Sequence, residues 1–134
     1  MSKRETSDYF RLKYDALYDA YKKALARSDV RSHEEAIFNA INSPTTRYWI
    51  SIGGASRNIA RILKGKPVLY KEGSVKHELL MRVYQEYLRL SKSPLFRGSS
   101  IYFITSFAVM KPADKFYISY RSARRIISRH RRKE

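Results

Sequence analysis

The chain has 134 residues, enough for one domain or two small ones, and carries a formal net charge of +16 without any cysteine. The absence of cysteine excludes disulfides, thiolate zinc sites and cysteine nucleophiles. The polar segment from Met1 to Asp8 lacks the apolar core of a signal peptide, and the longest apolar run, Ile101 to Met110, is shorter than the roughly 20 residues that a bilayer requires. These features predict a soluble, cytoplasmic protein.

The first half of the chain is predicted to form three helices. Apolar side chains recur at helical spacing over residues 7–26, and the capping-box sequence Ser32-His-Glu-Glu35 predicts a second helix over 33–42. Pro44 ends that helix, and residues 46–50 are predicted to be extended. Ser51 is placed to cap a third helix over 52–63, because a serine oxygen can accept a hydrogen bond from a free amide of the first turn.

The second half follows the same plan. Ser74 precedes a predicted helix over 75–91, and a further helix runs from Ser99 or Ser100 to Met110. The apolar density of this further helix predicts burial on several sides. Ser119 is placed to cap the last helix, 120–131, and the chain ends in a basic run.

The segment from Ser43 to Ser51 returns 68 positions later as the segment from Lys111 to Ser119, each followed by a helix. The order of proline, base, two aromatics, isoleucine and serine is kept in both copies. The identical pairs are Pro44/Pro112, Ile50/Ile118, Ser51/Ser119, Ala55/Ala123, Arg57/Arg125 and Ile59/Ile127. An internal repeat of this kind indicates a duplicated structural unit.

The repeat and the helical pattern together predict an all-α protein built from two tandem three-helix units. The first unit spans residues 1–63, a linker spans 64–73, and the second unit with its basic tail spans 74–134. In each unit an extended proline–aromatic segment precedes the last helix. Units of about 65 residues are near the size at which a separate core becomes marginal, so the two are expected to support each other or to depend on a partner.

Positive charge is concentrated in the repeated segments and in the helices directly after them. Residues 43–71 hold six Lys or Arg and no acid, and residues 111–134 hold nine against two acids, whereas the remainder is nearly balanced. Charge segregated in equivalent places is typical of a polyanion-binding surface, most often for nucleic acid. A basic surface that serves only solubility is the alternative.

Candidate nucleic-acid contacts are the bases in and beside the last helix of each unit, together with one serine. Arginine can bond to guanine through two hydrogen bonds, and Lys, Arg and Ser can hold phosphates. The candidates are Arg47, Ser56, Arg57, Arg61, Lys64, Lys66, Lys115, Arg121, Arg124, Arg125, Arg129, Arg131 and Arg132. We expect the helix over 52–63 to be the better base reader, and the last helix to act more as a phosphate clamp.

The aromatic pairs Tyr48-Trp49 and Phe116-Tyr117 have two interpretations. One residue of each pair is expected to anchor the segment in the core. Trp49 or Tyr117 could instead stack on an unpaired base, although burial of both is the simpler interpretation. The histidines His33, His77 and His130 lack metal-ligand spacing, and no phosphate-binding glycine loop occurs, so no enzyme activity, metal or cofactor is expected.

The arrangement of the predicted helices resembles tandem three-helix, helix-turn-helix proteins of the Myb-like kind. The segment of proline, base, two aromatics, β-branched residue and serine before a helix also resembles small basic proteins of bacterial mobile elements. These resemblances imply double-stranded DNA binding by the last helix of each unit, in a regulator or a DNA-packaging accessory factor. A departure is the turn before that helix, about eight residues (43–50) against the usual three or four.

A structural or assembly protein that neutralises RNA or packaged nucleic acid, without reading its sequence, is the alternative function. Both functions predict steep weakening of binding with salt, but only the first predicts a preferred sequence. The residues alone leave the target site, the biological process and the oligomeric state open.

Overall fold

The structure, a computed structural model, describes residues 3–27 and 29–134, and side chains from residue 8 onward within those ranges. The described residues form six α-helices and one short 3₁₀ turn, Pro94–Phe96, without a strand, so the all-α prediction is confirmed. No helix in the described part of the chain is both long enough and apolar enough for a bilayer crossing. The helices are α1 (Lys3–Leu25), α2 (His33–Ile41), α3 (Ile52–Leu63), α4 (Val75–Ser91), α5 (Ile101–Ala108) and α6 (Tyr120–Lys133).

The helices group into two compact units that do not follow the tandem order predicted from the repeat. Unit 1 consists of Met1–Thr45 together with Asp114–Glu134, and unit 2 consists of Thr46–Ala113. Within unit 1, α1, α2 and α6 pack on one another, and within unit 2, α3, α4 and α5 do so. The tandem arrangement of 1–63 and 74–134 is therefore not confirmed, because the last helix of each sequence copy packs in the unit formed by the other copy's first two helices.

Two backbone hydrogen bonds hold the repeated segments in this exchanged arrangement. In unit 2 the Tyr48 amide donates to the Val109 carbonyl at 2.8 Å, and in unit 1 the Phe116 amide donates to the Ile41 carbonyl at 3.0 Å. Both the donors and the acceptors are related by the repeat offset of 68 positions. The same local structure is thus formed twice, each time at the C-terminal end of a short helix.

The offset extends beyond the segment noticed in the sequence. Ser32 caps α2 and Ser100 caps α5, and the serine side chain in each case accepts a hydrogen bond from the amide three residues on. Ser51 and Ser119 cap α3 and α6 in the same way, as predicted. Each such cap contributes about 1 kcal/mol to helix stability. The same serine N-cap thus stabilises the first turn of all four helices.

Residues 64–73, expected to link two domains, lie within unit 2 and are fastened to α3. The buried side chain of Asn58 donates to the Gly54 carbonyl at 2.9 Å and accepts the Leu69 amide at 2.7 Å. Arg61 Nε donates to the Pro67 carbonyl at 2.6 Å. A buried amide with its hydrogen-bonding groups satisfied holds a loop specifically, because leaving either group unpaired would be costly.

Each unit has its own apolar core, taken from the faces predicted by helical spacing. The largest fully buried side chains of unit 1 are Tyr21, Leu17 and Ile127, and those of unit 2 include Ile59, Leu80 and Val83. Burying one such aliphatic side chain contributes about 1.5–3 kcal/mol. The aliphatic members of this set therefore each stabilise their unit by that amount.

The helix α5 departs from the sequence expectation of burial on several sides. Ile104 and Ala108 are buried, but Tyr102, Phe103 and Phe107 each keep about half of their surface exposed (47–53%). A three-helix unit covers only one face of an eight-residue helix, so the remaining apolar side chains stay outside.

Candidate nucleic-acid interface

The last helix, α6, divides sharply between a buried face and a basic face. Ala123 and Ile127 are buried within unit 1, on the side that packs on α1 and α2, whereas Arg121, Arg125 and Arg132 are exposed. With Ser128, these three arginines follow one another at steps of four, three and four residues, which places them on a single side of the helix. We call Arg121, Arg125, Ser128 and Arg132 the α6 stripe. Exposed Arg124 and Arg129 flank it on either side.

The helix α3 carries an equivalent but sparser stripe. Subtracting the offset of 68 from the α6 stripe gives Gly53, Arg57, Ala60 and Lys64, which we call the α3 stripe. Arg57 and Lys64 are exposed, Gly53 and Ala60 are half-exposed, and Ala55 and Ile59 on the opposite side are fully buried. The two helices thus present the same face in their units, and α6 has arginine at the position of Gly53.

The charged side chains of the stripes lack acidic partners in the described part of the chain. Among the residues that the structure describes, no carboxylate lies within salt-bridge distance of Arg57, Lys64, Arg121 or Arg125. Neither helix contains an acidic residue between its first and last positions. Unpaired guanidinium groups on a rigid helix can form hydrogen bonds to an incoming anion without first breaking internal ones.

One side of α6 makes contacts within unit 1, and the predicted site residue Arg131, although exposed, takes part in them. Nη1 of Arg131 lies 3.3 Å from Nδ1 of His33, which also hydrogen-bonds to the Tyr21 hydroxyl. Nε2 of His130 lies 3.2 Å from an Asp15 carboxylate oxygen. Burial raises the pKa of Tyr21, so this phenol remains a neutral hydrogen-bonding group at physiological pH.

Arg47 and Lys115, predicted to contact phosphate, instead lie over the aromatic rings that follow them. Arg47 is 5.0 Å from the centre of the Trp49 ring, and Lys115 is 5.0 Å from that of Tyr117. Arg47 also donates to the carbonyl oxygens of Tyr48 and Ile50, at 3.1 and 3.0 Å. The hydrogen bonds of Arg47 occupy N–H donors that a phosphate would otherwise use, and both cations pack against a ring of the repeated segment.

Two further predicted contacts on α3 have hydrogen-bond partners within unit 2. Ser56 is only 9% exposed and its hydroxyl donates to the Gly53 carbonyl, so it does not lie on the outer face. Arg61 is half-buried, with its Nε directed to the Pro67 carbonyl. Lys66 is exposed but lies in the loop after α3, outside the stripe.

Trp49 and Tyr117 are both buried, each with 6% of its surface exposed. Their rings therefore offer no open face for a base, and the core interpretation of both side chains agrees with the structure. The Tyr117 hydroxyl donates to a carboxylate oxygen of Asp114 at 2.7 Å. Tyr117 also has a positive φ of 53°, an uncommon conformation for a tyrosine that its surroundings must hold in place.

The described residues contain no group of three or more His, Cys, Asp or Glu side chains that could hold a metal ion. Helical spacing also places Ala60 on the outer face of α3, but Ala60 is not among the candidate contacts because it lacks a charge. The offset of 68 would have found it, because Ala60 corresponds to Ser128.

Comparisons of the chain with family models, with curated proteins and with solved structures find no match.

Proposed function

We propose that the protein binds double-stranded DNA through the α6 and α3 stripes, as a regulator or a DNA-packaging accessory factor. The observation that carries this proposal is the recurrence of an outward basic stripe, at equivalent positions, on the last helix of each sequence copy. Solubility alone requires charge on the surface but does not require it in the same register on two helices.

The geometry of each stripe suits a nucleic-acid groove. An α-helix fits the major groove of B-form DNA, where an arginine can form two hydrogen bonds to guanine. In the α6 stripe, three arginines along about 16 Å of helix can reach successive phosphates or base edges. The arginines favour a phosphate-rich partner over an uncharged one. An uncharged partner would leave their positive charges without compensation.

The two stripes are suited to different tasks. The α6 stripe and its flanking arginines supply a dense row of phosphate donors. The α3 stripe has only Arg57 and Lys64 as charges, and its small residues Gly53 and Ala60 let the backbone approach a groove closely. We therefore assign most of the affinity to α6 and assign sequence preference to α3.

The test measures duplex binding by the full chain as a function of salt. The variants are Arg121→Ala with Arg125→Ala on α6, Arg57→Ala on α3, and Lys76→Ala as a control, since Lys76 is exposed on α4 outside both stripes. Each lost phosphate contact should lower the slope of log affinity against log salt by about 0.9. We expect the slope to fall by about 2 for the double variant and to remain unchanged for Lys76→Ala.

Selection from random duplexes tests sequence preference separately. Recovery of a motif that Arg57→Ala relaxes would support base reading by α3. Recovery of no motif, together with equal affinity for RNA, would favour the alternative of a protein that neutralises packaged nucleic acid. Unchanged affinity in both arginine variants would overturn the assignment of the two helices as the interface.

A further inference from the structure

Unit 2 carries an exposed apolar surface that DNA binding does not explain. Tyr102, Phe103 and Phe107 of α5 and Met110 just beyond it point outward, with 47–56% of their surfaces exposed. Phe96 of the 3₁₀ turn packs beside them, with its ring centre 6.1 Å from that of Phe103 and 5.3 Å from that of Phe107. We call the set Leu95, Phe96, Tyr102, Phe103, Phe107 and Met110 the aromatic face.

The other sequence copy shows that the fold does not need apolar residues at these places. The offset of 68 relates α5 to α2, as the Ser32 and Ser100 caps establish. At the positions of Tyr102, Phe103, Phe107 and Met110, α2 has Glu34, Glu35, Asn39 and Asn42. At these four positions the chain is therefore polar in unit 1 and apolar in unit 2.

Exposure of such a cluster to water is unfavourable, because burying apolar area contributes about 25 cal/mol per Å². A partner that covers the cluster gains this free energy. Aromatic residues and Met are also the side chains enriched in the cores of protein interfaces. The face includes the aliphatic Leu95, which is 89% exposed, and its only polar side-chain group is the Tyr102 hydroxyl. This chemistry suits an apolar protein surface better than a nucleic acid.

The surroundings of the aromatic face are positively charged. No acidic residue occurs between Glu86 and Asp114, whereas Arg97 follows Phe96 directly and Lys111 follows Met110 directly. A second copy of this chain would bring these like charges together. An acidic partner would be attracted to them, and the opposite charges would also favour its orientation.

We propose that the aromatic face binds an acidic amphipathic helix of a partner protein. The apolar side of that helix covers Tyr102, Phe103 and Phe107, and its anchoring side chains recur at helical spacing. Its flanking carboxylates lie near Arg97 and Lys111. The partner is thereby held on unit 2 by a surface separate from the α3 and α6 stripes.

The test uses full-length protein and a labelled synthetic helical peptide with a leucine stripe flanked by glutamates. A matched peptide carries lysine in place of each glutamate. The main variant transplants the α2 residues onto α5: Tyr102→Glu, Phe103→Glu, Phe107→Asn and Met110→Asn. The control is Leu69→Asn, which removes a side chain that is 63% exposed and lies outside the face.

We expect the acidic peptide to bind the wild-type protein and the Leu69→Asn control, and to bind the transplant variant at least about tenfold more weakly. The lysine peptide should not bind. Duplex binding should be retained by the transplant variant. If that variant loses its helical circular dichroism, Arg97→Glu with Lys111→Glu provides the decision, because this pair should weaken the acidic peptide without altering an apolar residue.

Equal binding of the two peptides to the wild-type protein would overturn the proposal. Full binding of the acidic peptide to both the transplant variant and the Arg97→Glu, Lys111→Glu variant would also overturn it. Self-association of the wild-type protein that the transplant abolishes would instead make a second copy the occupant. Binding to phosphatidylserine vesicles without binding to the acidic peptide would make the face a membrane contact. Either result would overturn the proposal of an acidic partner helix.

Discussion

The Phe116 amide donates a hydrogen bond of 3.0 Å to the carbonyl of Ile41, a residue of the other sequence copy. Tyr48 and Val109 form the reciprocal bond. The exchange of the last helix between the two units explains the long turn between the second and third helices of each sequence copy. Residues 43–50 are not an expanded turn within one three-helix unit, because the chain passes from unit 1 to unit 2 between Thr45 and Thr46.

The exchanged units can be separated by fragment expression. A fragment of residues 46–113 contains all three helices of unit 2, whereas a fragment of residues 1–63 contains two helices of unit 1 and one of unit 2. We expect 46–113 to unfold cooperatively on heating, because its core is complete. We expect 1–63 to give a broad, non-cooperative transition in circular dichroism.

Cooperative unfolding of 1–63 together with a broad transition of 46–113 would instead support tandem units joined by residues 64–73. A mixture of 1–45 and 114–134 offers a second check. Helical signal that is larger for the mixture than for the sum of the two peptides is expected, because α6 completes the core formed by α1 and α2.

Asn58→Ala should destabilise the protein through the loop after α3. The substitution removes the side chain that bonds to Gly54 and Leu69 in a buried position, and a lost buried hydrogen-bonding partner costs about 1–3 kcal/mol. The free energy of unfolding in urea measures this loss. Asn39→Ala on α2 is the matched control and should change stability by less than about 0.5 kcal/mol. Equal effects of the two substitutions would remove any special role for the Asn58 amide.

The two adjacent glycines of α3 should respond to alanine with opposite signs. A Cβ at Gly53 would meet nothing within 4 Å, so Gly53→Ala should stabilise the helix by about 0.5–1 kcal/mol. A Cβ at Gly54 would lie 2.9 Å from the Ser51 hydroxyl oxygen that caps the helix. Gly54→Ala should therefore cost about 1 kcal/mol through the cap, as measured by thermal unfolding. Stabilisation by both changes would show that Ser51 adjusts freely.

Stability should decline at alkaline pH, partly through Tyr87. Burial raises the pKa of Tyr87 above its usual value near 10, and the nearby Tyr84 adds to the increase. The unfolded chain therefore releases this proton at a lower pH than the folded chain does. The contribution is complete below about pH 10 and is lost as pH rises through the folded pKa.

Tyr87→Phe keeps the ring in the core and removes the titration. We expect the free energy of unfolding of this variant to fall less steeply above about pH 10 than that of the wild-type protein. Tyr102→Phe, at an exposed ring, serves as the control and should leave the slope unchanged. Parallel curves for wild-type and Tyr87→Phe proteins would assign the alkaline loss to other groups.

Local features of the fold were accessible from the sequence. The serine caps at Ser51 and Ser119 were predicted because capping depends only on neighbouring residues. The helix α3 was predicted with its observed bounds for the same reason.

The grouping of helices was not accessible, because helical spacing shows that a face is apolar and does not show which helix covers it. Periodicity around α3 could not show that Ser56 bonds to Gly53, or that Arg61 turns toward Pro67. The first is a local bond within the helix that apolar spacing does not encode, and the second depends on the folded loop. The exposed side of α5 was missed because a run of apolar residues signals burial whether or not the protein itself provides the cover.

The exchanged connectivity sets the order in which the protein can be assembled during synthesis. Unit 2 is contiguous in the chain, so its three helices can pack as soon as residue 113 has left the ribosome. Helices α1 and α2 are made first, yet their core lacks Ile127 and Ala123 until the last segment arrives. Helices α1 and α2, although synthesised earlier, therefore complete their core only after unit 2 can fold. The arginine-rich α6 completes unit 1 when it packs on them.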